Sequence, residues 1–388
     1  MKKIILALSS LSLLLFFCNQ ERAVTDPPKT NKNTQFQIPF HSVSAKYKVE
    51  KRMAIEEFYE NEIKDSYWGG ILVAKNGEIL FEDYQGYANF EERIKFDKDT
   101  PMHVASVGKV ITAVGILQLV DKKALTLDQK VSDIIEGFPY EKITVRMLLN
   151  HRSGLPKYEN FADKKLWDKK KTIYNEDVIS ILKNKKPPLM FTPNTKFTYC
   201  NTNYVLLASI VEKLTNKSFQ QAMETLIFKP LEMNNTFVMD DLSKKWEVTQ
   251  SYDRYNKRMR WDYMDGTYGD KNIYTTPRDL LKMDLALYSD NFLSKELKTQ
   301  MFKGYSYEKI GKKNYGLGIR MVEPTYADDD LFTFHNGWWR GNKPSYITLR
   351  KDTVTIICFD NRNTAKAYKA KHLAKEFGRF SFLQNDEE

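Results

Sequence analysis

The sequence predicts a mixed α/β fold of the α+β kind: one antiparallel sheet assembled from both ends of the chain and flanked by helices, with an all-helical lobe inserted between its two halves. Three observations predict it. Strand patterns cluster near residues 69–84 and again near 331–359, and helical patterns dominate the stretch between them. The chain of 388 residues, 42% hydrophobic, is large enough to bury an extensive core. The folded region is expected over residues 46–384, its sheet lobe drawn from about 46–115 and 275–384 and its helical lobe from about 116–274. A cleft is expected where the lobes meet.

The elements follow in order. Residues 47–64 have helix-forming composition. Gly69 to Lys75 and Glu78 to Tyr84 read as strands joined at Asn76-Gly77, a pair suited to the two positive φ angles of a type I′ turn. After Ser106, the spacing of Val110, Val114 and Leu117 marks a buried helix. Thr126 with Gln129, and Ser218 with Gln221 ahead of Ala222 to Phe228, have the spacing of capping boxes. Thr276-Pro277-Arg278-Asp279 sets an N-cap, a proline at the first helical position and an acid at the third ahead of a helix over Leu280 to Tyr288. Leu331 to Asn336, Ser345 to Arg350 and Thr353 to Phe359 are strands, with Lys351-Asp352 as a tight turn, and a helix over Thr364 to Phe377 comes last.

Met1-Lys2-Lys3 and the apolar run Ile4 to Phe17 have the charged and hydrophobic regions of a secretory signal peptide, so residues 1–18 are expected to direct export. The run is short for a membrane span. Cys18 follows it directly, with Leu15 at minus three, and resembles the lipid-attachment cysteine of bacterial lipoproteins; Phe17 stands where that pattern has a small residue. Residues 19–45, polar and rich in Asn, Thr, Lys and Pro, suit a flexible tether. The expected location is the bacterial cell envelope, in the periplasm or held to a membrane through Cys18.

The 60 basic and 50 acidic side chains give a net charge of +10, but the lysines are scattered and no nucleic-acid motif accompanies them, so no nucleic-acid partner is expected. The excess suits anionic lipid or acidic envelope polymers. Cys200 and Cys358 lack partners at metal or redox spacing and read as free thiols. The five histidines are dispersed, so neither a metal nor another cofactor is expected.

Ser106 and Lys109 carry the chemistry. Three residues apart at a helix start, they share one helical face. A serine hydroxyl becomes a good nucleophile when a neighbouring base takes its proton, and a lysine amine shielded from water serves as that base. The pair therefore points to covalent acyl transfer. Ser180 with Lys183, and Ser306 with Lys309, have the same spacing but lie in polar stretches and read as solvated faces.

With Ser106 and Lys109 come Tyr199-Cys200-Asn201 and His335-Asn336-Gly337, in that order. Together they resemble the three active-site motifs of the serine β-lactamase and penicillin-binding protein superfamily, in its class C-like branch. Leu148-Leu149-Asn150-His151-Arg152-Ser153-Gly154-Leu155-Pro156 is similar to a signature that the branch carries between its first and second motifs, and Lys229-Pro230-Leu231-Glu232-Met233, Gly269 to Thr276 and Tyr315-Gly316-Leu317-Gly318 also match in order, so the resemblance runs from about residue 47 to 380. It implies a β-lactamase/transpeptidase-like fold and a serine hydrolase acting through an acyl-enzyme on Ser106, with Lys109 and Tyr199 relaying the proton. It further implies that the N–H groups of Ser106 and Trp338 form the oxyanion hole, that Asn201 binds the substrate amide, and that His335 lines the cleft, binding the substrate carboxylate or supporting Tyr199. His103 and His151 are assigned to structure.

His335 stands where many relatives have lysine. A neutral imidazole is poorer than an ammonium at holding the carboxylate of a β-lactam, which favours a D,D-peptidase-like or esterase-like enzyme over a true class C-like β-lactamase. The expected partners are small peptide or ester substrates, including peptidoglycan fragments. Against these stands a catalytically weak or inactive binding protein of the envelope that keeps the same cleft. An α/β-hydrolase is disfavoured because no Gly-x-Ser-x-Gly elbow surrounds Ser106.

Overall fold

The hairpin that opens the sheet forms where the turn residues place it. Strands β1 (Gly69–Lys75) and β2 (Glu78–Gln85) pair antiparallel around Asn76 and Gly77, whose φ angles of 51° and 79° are both left-handed. The computed structural model describes residues 40–308 and 311–383; the expected signal peptide, Cys18, the tether up to residue 39 and Lys309 lie outside the described residues. Ahead of the hairpin, helix α1 (Ala45–Phe58) is capped by Ser44, whose Oγ accepts from Tyr47 N at 3.3 Å, and runs on as a π-helical turn over Tyr59–Ile63.

Five more strands complete the sheet: β3 (Lys313–Tyr315), β4 (Arg320–Val322), β5 (Phe332–Asn336), β6 (Ser345–Leu349) and β7 (Val354–Asp360). The order is β2-β1-β7-β6-β5-β4-β3, every ladder antiparallel. Because β7 pairs with β1, Val73 opposite Ile356, the late strands complete the early hairpin. Side chains alternate between two apolar layers. Ile71, Val73, Ile356 and Cys358 pack with Ile55, Tyr59 and Ile63 of the first helical segment and Leu373 of a 3₁₀ run over Lys366–Glu376. Leu72, Ala74, Ile357 and Phe359 face the larger core.

That larger core is built around α2 (Gly108–Asp121), whose residues from Gly108 to Leu119 are all buried. A helix apolar on every side belongs in the interior. Around it lie α3 (Val145–Leu149), α4 (Asn175–Lys185), α5 (Thr202–Thr215), α6 (Phe219–Met223) and α7 (Pro277–Ala286). Two of the expected helix starts are realised. Ser218 Oγ accepts from Gln221 N while Gln221 Oε1 accepts from Ser218 N, both at 3.3 Å, and Thr276 Oγ1 accepts from Asp279 N at 3.1 Å.

The third expected start is not. Thr126 N does donate to Gln129 Oε1 at 3.3 Å, yet Lys130 pairs with Thr144 in an isolated bridge and no α-helix follows, so a local side-chain bond closes a turn instead. The inserted region is also not helical throughout: Phe237–Val238 and Met102–His103 both pair with Ile273–Thr275. This small sheet ties the nucleophile segment to the Gly269–Thr276 stretch.

Candidate active site

The turn that carries Ser106 is held on both sides. Val104 N donates to Ile273 O at 2.9 Å, Ala105 N donates to His103 Nδ1 at 3.1 Å, and His103 Nε2 lies 3.0 Å from Asn272 Oδ1. Ala105 takes a φ of 45°, a left-handed conformation unusual for alanine that the flanking bonds impose. A single 3₁₀ turn over Ala105–Val107 then feeds α2. Burial depresses the basicity of His103 to about 3, so it stays neutral and accepts the Ala105 N–H, the structural role expected of it.

Lys109, one turn into the helix and fully buried, reaches back to place Nζ 3.1 Å from Ser106 Oγ and 2.6 Å from the carbonyl oxygen of Asp270. Beneath Asp270 lies a closed polar cluster in which Tyr158 Oη donates to Asp270 Oδ2 at 2.8 Å and Lys271 Nζ lies 2.6 Å from Tyr158 Oη. Among the described residues, Ser180 Oγ accepts from Asn184 and not from Lys183, and Ser306 Oγ accepts from Arg152. Ser180 and Lys183 line a cavity of about 730 Å³ between α4 and α5 that contains none of the site residues.

The Leu148–Pro156 stretch explains how Tyr199 is placed. Cys200 N donates to His151 Nδ1 at 3.2 Å, Thr198 N to His151 O at 3.0 Å, Thr202 Oγ1 to Pro156 O at 2.7 Å, and Ser153 Oγ to Asn203 Oδ1 at 2.6 Å. The His151 ring packs 4.3 Å from that of Tyr199. Tyr199 is thereby brought to Lys109, whose Nζ is 5.2 Å from the phenol ring centroid, but its hydroxyl is buried without a hydrogen-bond partner among the described residues. The expected relay is therefore assembled in part: serine and lysine are bonded, and the phenol stands beside them unbonded.

Asn201, at the N-cap of α5, donates from Nδ2 to Glu159 Oε1 at 2.7 Å, a partner that the sequence did not single out. Asn201 Oδ1 and Glu159 Oε2 are both buried without a hydrogen-bond partner among the described residues. Burial, with the Asp270 carboxylate adding to it, raises the proton affinity of Glu159 above that of an ordinary carboxyl.

The structure corrects one expectation. His335 is fully buried, its Nε2 3.1 Å from Tyr315 Oη and its Nδ1 2.9 Å from Asn336 O, so neither nitrogen is free to hold a substrate carboxylate. Desolvation, then Arg320 and Lys109, push its basicity well below the usual range. Through Tyr315 it reaches Tyr199, whose ring packs against that of Tyr315 with centroids 6.3 Å apart. Asn336 Oδ1 accepts from Ser345 Oγ at 2.8 Å, which binds β5 to β6. Gly337 lets the end of β5 touch the nucleophile turn, since a Cβ there would meet Val104 O at 2.7 Å and Ala105 Cβ at 2.9 Å.

Where the nucleophile turn meets the end of β5, the N–H groups of Ser106 and Trp338 have no partner among the described residues, while their neighbours are used: Val107 N donates to Val104 O, Gly337 N to Pro344 O, and Trp339 N to Asn342 O. These two are the pair expected to receive an oxyanion. The Trp338 side chain is 69% exposed. A hydroxyl bonded to a buried amine, unspent amides on two converging segments and a phenol alongside can support nucleophilic attack on a carbonyl and stabilise the resulting charge.

The Beta-lactamase family profile matches residues 65–375. Penicillin-binding protein 4* of Bacillus subtilis is 31% identical over 343 residues, 83% of this chain and 74% of its own length. Teichoic acid D-alanine hydrolase of Staphylococcus aureus is 27% identical over 62% of this chain and 59% of its own length. The crystal structure of a penicillin-binding protein from Bacillus halodurans superposes with a TM-score of 0.69 over 84% of this chain and 98% of that one at 23% identity, a likeness of fold. With this match over most of its length, the chain belongs to the β-lactamase family, within the serine β-lactamase and penicillin-binding protein superfamily.

Proposed function

We propose that the protein is an exported serine hydrolase of the cell envelope that acylates Ser106, D,D-peptidase-like or esterase-like in type, with D-alanyl esters or D-alanyl peptides as substrates. The observation that carries this is the 3.1 Å contact between Lys109 Nζ and Ser106 Oγ beside two unspent amides. Lys109, as the amine, takes the proton of Ser106 as Oγ attacks the carbonyl carbon. The amides of Ser106 and Trp338 hold the oxyanion, and the proton passes by way of Tyr199 to the leaving group. Water then releases the acyl group from Ser106. The substrate class draws support from the relatives, one of which is named for hydrolysing D-alanine from teichoic acid. Export and envelope location draw support from the N-terminal Lys-Lys and apolar run, and from the position of Cys18 directly after it, where a lipid-attachment cysteine stands.

The unbonded phenol of Tyr199 favours a second reading, an envelope binding protein of weak turnover. A parallel screen of p-nitrophenyl esters, nitrocefin and D-alanyl-D-alanine peptides, with Ser106→Ala as control, separates the two. Turnover of an ester or peptide that vanishes in the variant supports the hydrolase. Saturable binding without turnover supports the binding protein, and turnover confined to nitrocefin supports a β-lactamase.

A further inference from the structure

Two buried acceptor atoms, on Asn201 and Glu159, have nothing to accept from among the described residues. Asn201 spends its amide nitrogen on Glu159 Oε1 at 2.7 Å, the orientation that keeps the amide oxygen turned away from the carboxyl group. Asn201 Oδ1 is left unpartnered, as is Glu159 Oε2. Two lysines that act on the carboxylate through space are bonded elsewhere: Lys109 to Ser106 and the Asp270 carbonyl, and Lys271 to Tyr158 and the Asp270 carboxylate. Glu159 consequently has no ion pair among the described residues, and burial raises its proton affinity, with the Asp270 carboxylate adding to it.

We propose that Glu159 Oε2 and Asn201 Oδ1 form an acceptor pair for the free ammonium of an aminoacyl ester or amide, so that the site selects substrates with an unblocked amino group next to the scissile carbonyl. This rests on acylation of Ser106. An ammonium supplies up to three donors and the charge that the pair lacks. An N-acylated substrate brings a carbonyl oxygen instead, a third acceptor against two others, and a site built for donors discriminates strongly against it. The pair thus separates an aminoacyl hydrolase from a carboxypeptidase acting on acylated peptides.

The test compares kcat/KM for D-alanine methyl ester and N-acetyl-D-alanine methyl ester in the wild type, Glu159→Gln and Glu159→Asp. The wild type is expected to favour the free amine at least about tenfold. Glu159→Gln should bring the ratio to within about threefold by losing rate on the free amine, and Glu159→Asp should keep part of it. The ratio does not depend on the fraction of folded protein, and if a variant fails to fold the wild-type ratio decides by itself. A wild type that prefers the acetylated ester, or turns over neither ester while a fluorophosphonate still labels Ser106, overturns the proposal, as does a Glu159→Gln ratio equal to that of the wild type. Absence of labelling at Ser106 would instead remove the acyl-transfer mechanism beneath it.

Discussion

Lys109 and Asp270 are joined by a 2.6 Å bond from the buried lysine Nζ to a backbone carbonyl, and that bond aims the lysine at Ser106 Oγ. Asp270 is itself fixed, its carboxylate taking Tyr158 Oη and Lys271. A long flexible side chain is thus held by main chain and by a polar cluster rather than by the nucleophile alone.

Replacing the amine should therefore remove chemistry while leaving the fold. Lys109→Met keeps the apolar stem and fills most of the volume. It is expected to lower kcat/KM on any ester substrate by about 10³-fold or more, measured under single-turnover conditions.

Tyr199→Phe separates activity from stability. Because the phenol hydroxyl is buried without a partner, deleting it should change unfolding free energy by less than about 1 kcal/mol in a urea titration. If the hydroxyl relays a proton, kcat should still fall by about 10²–10⁴-fold. Unchanged turnover would take Tyr199 out of the mechanism.

Gly337→Ala tests the junction of sheet and nucleophile turn. The added Cβ meets Val104 O at 2.7 Å and Pro344 Cγ at 2.7 Å, so the strand end must move away from Ser106. A loss of about 1–3 kcal/mol in stability is expected, with kcat/KM lower as the Trp338 amide is displaced.

His103, His151 and His335 are buried and resist protonation, with desolvation the largest cause in each. A folded-state pKa below the unfolded value of about 6.5 gives stability that is present above that pH and is lost as pH falls through the window down to the folded pKa. Each group contributes up to about 1.4 kcal/mol per pH unit there. Asp360, raised to about 6 by burial, and Glu159, raised likewise, work oppositely at the lower pH values, because a carboxyl that holds its proton more tightly when folded is more favourable in acid. The direct check is imidazole NMR: the resonances of these three histidines should not titrate between pH 5 and 8.

Much of this was legible in residue patterns. The Asn76-Gly77 turn, the Ser218 and Thr276 caps and the buried face around Val110 all report local constraints, and local constraints leave local signatures. Strands β3 and β4, three residues each, are too short to show alternation. Thr126 and Gln129 form their bond without a helix because capping chemistry also closes turns.

The site divides the same way. Ser106 and Lys109 are neighbours in sequence, and the bond between them could be anticipated. Glu159 opposite Asn201 and Tyr315 opposite His335 depend on segments 42 and 20 residues apart meeting in space, which no spacing rule encodes. The family resemblance implies a His335 that lines the cleft and binds the substrate carboxylate or supports Tyr199. Its burial follows from a side chain that points inward from β5 to Tyr315, which sequence order does not disclose.

The central claim is that Ser106 is the nucleophile, and peptide mapping after reaction with a fluorophosphonate tests it most directly. The peptide bearing Ser106 should gain one phosphonyl mass in the wild type and none in Ser106→Ala, with Lys109→Met labelled far more slowly. Labelling at another serine, or an unmodified Ser106 under conditions in which penicillin-binding protein 4* of Bacillus subtilis reacts, would contradict it.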